Sequence, residues 1–244
     1  MANVGHASNR AQAVGRGYGC AVVVQINRRS AMKVRNGRVS KKNSWRLDRG
    51  DYRALPQAEI RLDRRRLPDG SRHLITIAQL RRFITLLPNW DEVAVGLDAI
   101  VLDSRIDCAG WCTPGVVAVC AWDRELWDWW SADMVEEHDH ILELLEVERV
   151  PIDQSAEYRE LVEDLVALGA RPPRRAPDIE LRWTEAQARA YQLLHILPHE
   201  LGHHHDRITS HRGRRAGRGE PYAEAYANRV LDEIWPSYAR EFEV

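Results

Sequence analysis

Apolar positions along the chain follow two periods. Ile77, Leu80, Phe83, Ile84 and Leu87 recur at helical spacing behind a capping box of Thr76 and Gln79, and Pro88 ends the run, which predicts a core-facing helix through Leu87. The same device, Thr184 with Gln187, opens a longer periodic stretch that runs to about Ile208, with Glu185 adding a favourable charge in its first turn. Pro198 interrupts that stretch; it removes a backbone donor and crowds the preceding turn, so a kink or restart is expected there. Short runs of strand character lie at Ala58–Leu62, His73–Ile75, Ala99–Leu102 and Val116–Trp122. Pro68-Asp69-Gly70 marks a turn between the first two, and "CAGWCTPG" at 108–115 separates the last two. Ile141, Leu142, Leu144 and Leu145, then an amphipathic piece from Tyr158 to Leu168, give the acidic stretch from Asp123 to Leu168 a mostly helical reading. "GARPPRRAPD" at 169–178 reads as a linker. The order of elements predicts an α+β class: one domain over 45–244 with a small mixed or antiparallel sheet and a helical acidic insertion at 123–178.

Composition narrows the class. The 244 residues, 44% hydrophobic with nine Trp, are enough to bury a core. The longest uninterrupted apolar run, Gly115 to Trp122, is far short of the ~18 residues a membrane-spanning helix needs. An N-terminal apolar run that comes late and behind arginines makes a poor secretory signal, so a cytoplasmic protein is expected. Cys20, Cys108, Cys112 and Cys120 are too sparse for a disulfide framework, and Cys108-x-x-x-Cys112 reads as ordinary thiols before it reads as metal ligands.

A net charge of −1 conceals a segregation, since residues 1–50 carry eleven Lys/Arg against Asp48 alone, and 123–165 carry fifteen Asp/Glu against three Arg. The basic arm at 1–44 has little apolar periodicity and is expected to be disordered. Its charge leaves three readings open: a solvated tail, weak nucleic-acid contact through residues 1–50, or attraction to the chain's own acidic segment.

Five of the ten histidines fall within "HILPHELGHHHD" at 195–206. His199 and His203 are four residues apart, which on a helix sets both imidazoles on one face, with Glu200 close enough to hold a metal-bound water. His204 and His205 point roughly 140° and 240° away from His199, off that face. His195 could share the face, but Pro198 perturbs the turn between them and favours packing or support of a ligand. Asp206 either orients a ligand imidazole or caps a local turn. A third ligand is supplied by Glu220 in "RGEPYAEAYANRVL", ahead of His211 as a weaker candidate. Pro221 suits the first turn of a new helix, and Ala223, Ala225 and Ala227 let it pack closely against the first. Glu220 and Glu224 are four apart on one face, so one can bind metal while the other accepts a hydrogen bond from a ligand histidine.

HExxH followed by Glu220-Pro221-Tyr222-Ala223-Glu224-Ala225-Tyr226-Ala227 resembles the gluzincins, the glutamate-type zinc peptidases, with local likeness to the HtpX/CAAX-endopeptidase group and to ImmA/IrrE-type peptidases. The resemblance covers about residues 184–232. It implies a zincin-like fold in which a small sheet packs on the HExxH helix and a following glutamate helix. It also implies one Zn2+ per chain on His199, His203 and Glu220, Glu200 as the base that moves a proton from water to the leaving amine, and Glu224 in the place of a supporting Asp. Position 224 is Glu where the family has Asp, and the membrane helices of HtpX are missing, which points to a soluble relative acting on a peptide or protein substrate. Tyr222, Tyr226 and His211 are candidate donors to the oxyanion. By the same resemblance Val116–Trp122 is the candidate edge strand for substrate, against an ordinary core-strand reading. Arg212, Arg214, Arg215 and Arg218 read either as a flap favouring acidic substrates or as a solvated loop. Two competing functions keep the site and change its use: a non-catalytic zinc-stabilised binding or regulatory module, associated with nucleic acid through the arm, and a zinc hydrolase of non-peptide substrates. Glu200 argues against the module, because a structural site needs no base beside its ligands.

Overall fold

The computed structural model describes residues 34–35, 38–39, 60–67, 70–104, 108–168, 177–210 and 217–243. The basic arm, apart from an antiparallel ladder of Val34–Arg35 with Arg38–Val39, lies outside the described residues, as do Ala58 and Glu59, most of the 169–178 linker, and His211, Arg212, Arg214 and Arg215. The chain forms two compact units, one of residues 1–51 and 125–183 and the other of 52–124 and 184–244. The class is α+β, and among the described residues no helix is long and apolar enough to cross a membrane.

In the 52–124/184–244 unit, β1 (Arg61–Arg64), β2 (Ala99–Asp103), β3 (Gly110–Thr113) and β4 (Val116–Cys120) form one sheet in the order β1-β2-β4-β3. The strands β1, β2 and β4 are parallel, and β3 runs antiparallel to β4. Every residue of β2 and β4 is buried, the pattern of central strands covered on both faces, which read as continuous apolar runs. The edge-strand expectation for Val116–Trp122 is therefore corrected in favour of its core-strand alternative: β4 has a neighbour on each side, and the edge next to it is β3, drawn from the stretch that reads as a turn. Only Pro114 and Gly115 make the connection, with Gly115 at φ +82°.

Thr76 and Gln79 form their capping box at the start of α1 (Ile77–Ile84), which buries Leu80 and Phe83. The helix ends short of Leu87, whose N–H bonds the Ile84 carbonyl at 3.2 Å in a tighter turn before Pro88. The strand expected at His73–Ile75 is instead a two-residue ladder of Ser71–Arg72 with Trp122–Asp123, while Leu74 and Ile75 are buried in irregular chain.

The 125–183 region holds an antiparallel sheet of β5 (Trp127–Trp130), β6 (Glu148–Pro151) and β7 (Ile179–Arg182), with β7 in the middle. Around it are α2 (Ala132–Glu137), α3 (Asp139–Leu144) and α4 (Ala156–Ala167), with Ser131 capping α2 and Ser155 capping α4. The helical expectation for 123–168 thus holds for these helices and misses β5 and β6. Tryptophan in β5 is the physical reason: Trp129 is buried with Leu161 of α4, flanked by Trp127 and Tyr158, and aromatic residues favour a pleated, half-buried surface.

Three further helices, α5 (Glu185–Tyr191), α6 (Leu197–Thr209) and α7 (Glu220–Phe242), complete the first-described unit. The helix α6 lies against β3 and β4 on one side and against α7 on the other.

Candidate metal centre

The Thr184–Gln187 capping box opens α5 as its sequence implies. Five residues of wider π turn, Gln192–Ile196, then join it to α6, and the Leu197 N–H bonds the Gln192 carbonyl five residues back. Pro198 accounts for the break, because it has no N–H for the carbonyl four residues earlier. Gln192 fastens the wide turn to the sheet by donating from Nε2 to the Cys120 carbonyl at 2.8 Å.

One turn on, His199 and His203 converge, with their Nε2 atoms 3.1 Å apart. Glu220 Oε2 lies 3.2 Å from His199 Nε2 and 3.4 Å from His203 Nε2. Glu224, one turn along α7, turns to the far side of the ring, where His199 Nδ1 donates to its Oε2 at 3.1 Å. A carboxylate can only accept, so the Nδ1 proton is committed to Glu224, and Nε2, a lone pair when the ring is neutral, faces His203 and Glu220. Two imidazole nitrogens and a carboxylate oxygen at 3.1–3.4 Å from one another call for protons or a metal cation among them, and these residues form a group able to hold a metal ion. The side chain of Glu220 is 75% exposed, so the group opens to solvent on that side.

The electrostatics carry the same demand for positive charge. Burial alone would lower the His199 imidazole, but the Glu220 and Glu224 carboxylates outweigh it and push it up to about 9. Hydrogen bonds with His199 and His203 hold Glu220 well below the usual carboxylate range. Glu200 is buried, and that burial, only partly offset by the two histidines, pushes its carboxyl up to about 7.

Three local devices bring these groups together. At Gly202 a Cβ would come within 2.9 Å of the Ala223 Cα, so the glycine lets α6 and α7 touch backbone to backbone. Asp206, fully buried, accepts from Arg218 Nε at 2.7 Å, from Arg218 N at 2.9 Å and from Gly219 N at 3.0 Å. Neither of its two sequence readings describes this clamp across twelve residues, which fixes the chain immediately before Glu220. The Arg218 guanidinium in turn sits 3.6 Å over the Tyr222 ring. On the sheet side, a Cβ on Gly110 of β3 would meet Glu200 Cγ and Oε1 at 2.8 Å, so the edge strand passes directly against the glutamate.

The remaining histidines and the two tyrosines lie elsewhere. His195 is buried, stacks on Tyr191 at 5.2 Å and approaches Glu224 Oε2 at 3.7 Å, behind His199. His204 Nε2 is 3.0 Å from the Val95 carbonyl. His205 holds the Tyr222 hydroxyl at 2.6 Å and Glu92 Oε1 at 3.0 Å. Tyr226 lies 5.4 Å from the His205 ring, and burial pushes its phenol up to about 12. Both tyrosines are thus grouped with His205 and not with His199, His203 and Glu220, and the third oxyanion candidate, His211, is outside the described residues. The described thiols take no part: Cys108 Sγ is 3.4 Å from Cys120 Sγ, and Cys112 Sγ accepts from Arg207 Nη1 at 3.7 Å.

The clamp of Asp206 on Arg218 and the approach of Gly110 to Glu200 are the site features that the sequence does not disclose. Comparison with protein-family models, with curated proteins and with solved structures finds no match.

Proposed function

We propose that the protein is a zinc-dependent metallopeptidase of the gluzincin type, with a zincin-like sheet-and-helix core. The observation that carries this reading is the convergence of His199 Nε2, His203 Nε2 and Glu220 Oε2 at 3.1–3.4 Å beside a buried Glu200. Ligand atoms ~2.0–2.1 Å from a tetrahedral zinc stand about 3.3 Å from one another, so the donor set fits that ion. Its solvent-open side matches a catalytic site better than a closed structural one. Held by His199, His203 and Glu220, zinc would supply Lewis acidity to the reacting carbonyl.

The chain's own residues do the rest. Glu224 fixes the tautomer of His199 by taking its Nδ1 proton in a hydrogen bond, which keeps the Nε2 lone pair turned inward. Glu200, buried and one residue past His199, accepts a proton from the attacking water and returns it to the leaving amine nitrogen. An edge strand, β3, passes against Glu200, and among the described residues β4 is its sheet partner, so an extended peptide added to its other side lies alongside the proton carrier.

Metal analysis and peptide cleavage test the reading together. Purified protein should contain about one zinc per chain, His199→Ala should lose it, and Glu200→Gln should keep it while cleavage of a peptide library falls by roughly 10²- to 10⁴-fold. Zinc-free wild-type protein in zinc-replete buffer, or unchanged cleavage by Glu200→Gln, overturns it.

A further inference from the structure

Glu200 and Arg207 are seven residues apart on α6, two turns, and share one face of it. Both meet the edge strand. Gly110 closes on Glu200, and Cys112, the next residue on the same face of β3, touches Arg207 Nη1 through its sulfur at 3.7 Å. A strand advances about 3.3 Å per residue, so the guanidinium stands about 7 Å, or two residues, further along the edge than Glu200.

Arg207 is partly buried, and its hydrogen-bond partner among the described residues is that thiol, while its Nε is enclosed with no partner. Burial pushes the Cys112 thiol up to about 12, so it stays neutral and gives the cation no countercharge. Arg72, Arg149, Arg182 and Arg218 behave otherwise: each closes on a carboxylate at 2.5–2.8 Å. A partly buried guanidinium presents a planar fork matched to a carboxylate, and one held beside an edge strand is matched to whatever lies along that edge.

We propose that Arg207 is the specificity-determining carboxylate receptor of the cleft, selecting peptides that carry a carboxylate about two residues from the bond that is cut. The inference rests on the peptidase reading and names its substrate class: acidic peptides, whether the carboxylate belongs to an Asp or Glu side chain or to the free end of the chain.

The test is a set of peptide mixtures with Glu, Gln or Lys fixed in turn at each position within three residues of the cut, each made with a free and an amidated C-terminus. Wild-type protein should favour the carboxylate-bearing peptides by roughly 10- to 100-fold in kcat/KM, the scale of a charge-assisted hydrogen bond. In Arg207→Gln that ratio should fall to about one, and in Arg207→Glu it should turn towards the Lys peptides. A preference that survives amidation assigns the carboxylate to a side chain, and one that vanishes assigns it to the chain end; either supports the receptor. Binding of the same peptides to Glu200→Gln protein, followed by tryptophan fluorescence, gives the ratio without turnover. The proposal is overturned by wild-type protein that shows no carboxylate preference, or by Arg207→Gln that retains it. Zinc-loaded wild-type protein that cuts none of the peptides instead defeats the peptidase reading, and this inference with it.

Discussion

Glu180, in the central strand of its sheet, and Glu220, at the start of α7, each gather polar side chains at hydrogen-bonding distance. Around Glu180 every partner donates: Trp129 Nε1 at 3.0 Å, Arg182 Nε at 2.8 Å, and the Ser155 hydroxyl. One of those donors carries a full positive charge, so the cluster is neutral and complete. Around Glu220 the near atoms are two imidazole nitrogens that accept when neutral, with Glu224 and Glu200 adding two more carboxyl groups close by. Both clusters are carboxylate networks, the first buried and the second open to solvent at Glu220, and they differ in the sign of what is left over. The donor-rich cluster holds a fold together; the acceptor-rich one needs a cation from outside.

Zinc addition gives the largest separation between them. With free metal at about a thousand times its dissociation constant, binding to the folded state should add about 4 kcal/mol to unfolding stability in denaturant. Glu220→Ala should erase that increment and Glu180→Gln should leave it whole; an increment lost equally in both would dissolve the distinction. Next in size, Glu180→Ala strands the Trp129, Ser155 and Arg182 donors and should cost about 3 kcal/mol by chemical unfolding, with the zinc content of the folded protein unchanged.

That contribution has a definite acid limb. Burial works against the ionised Glu180, but the donors outweigh it and hold its carboxyl below the ordinary value of 4.5. The stabilisation is therefore fully present above that value and is lost as pH falls through the lower folded one. Wild-type protein should lose stability across this window more steeply than Glu180→Ala; parallel curves would remove the network from the account. The smallest effect belongs to Glu224→Gln, which keeps the shape and weakens the hold on the His199 Nδ1 proton. It should reduce zinc affinity by roughly tenfold, about 1.4 kcal/mol, in competition with a chelator.

Much of the site was legible because its logic is local. The four-residue spacing of His199 and His203, the capping box at Thr184, and Pro221 ahead of an alanine-rich helix are all read within one or two turns. The division of labour between Glu220 and Glu224 came from the gluzincin resemblance and not from spacing, since residues four apart share a face and the packing of α7 on α6 decides which reaches both Nε2 atoms. The clamp of Asp206 on Arg218 and the approach of Gly110 to Glu200 span 12 and 90 residues and leave no periodic trace. Of the two readings of Val116–Trp122 the core strand holds, for a related reason: an apolar run such as Val116–Cys120 marks burial, and the most buried strand of a sheet is seldom its edge. In the acidic segment, helical spacing between Ile141 and Leu145 was correctly read, but tryptophans at 127, 129 and 130 encode strand through their packing, which periodicity does not report.

The wide turn at Gln192–Ile196 also acts as a phase shifter. An extra residue in the backbone loop rotates everything after it by roughly 100° about the helix axis, relative to the face that α5 would otherwise hand on. The rod from Glu185 to Thr209 therefore carries two independently oriented faces, one that buries Ala188 and Tyr191 and one that turns His199 and His203 to meet α7. Pro198 locks the gearing, because the regular hydrogen bond that would restore the unshifted phase has no proton to make it.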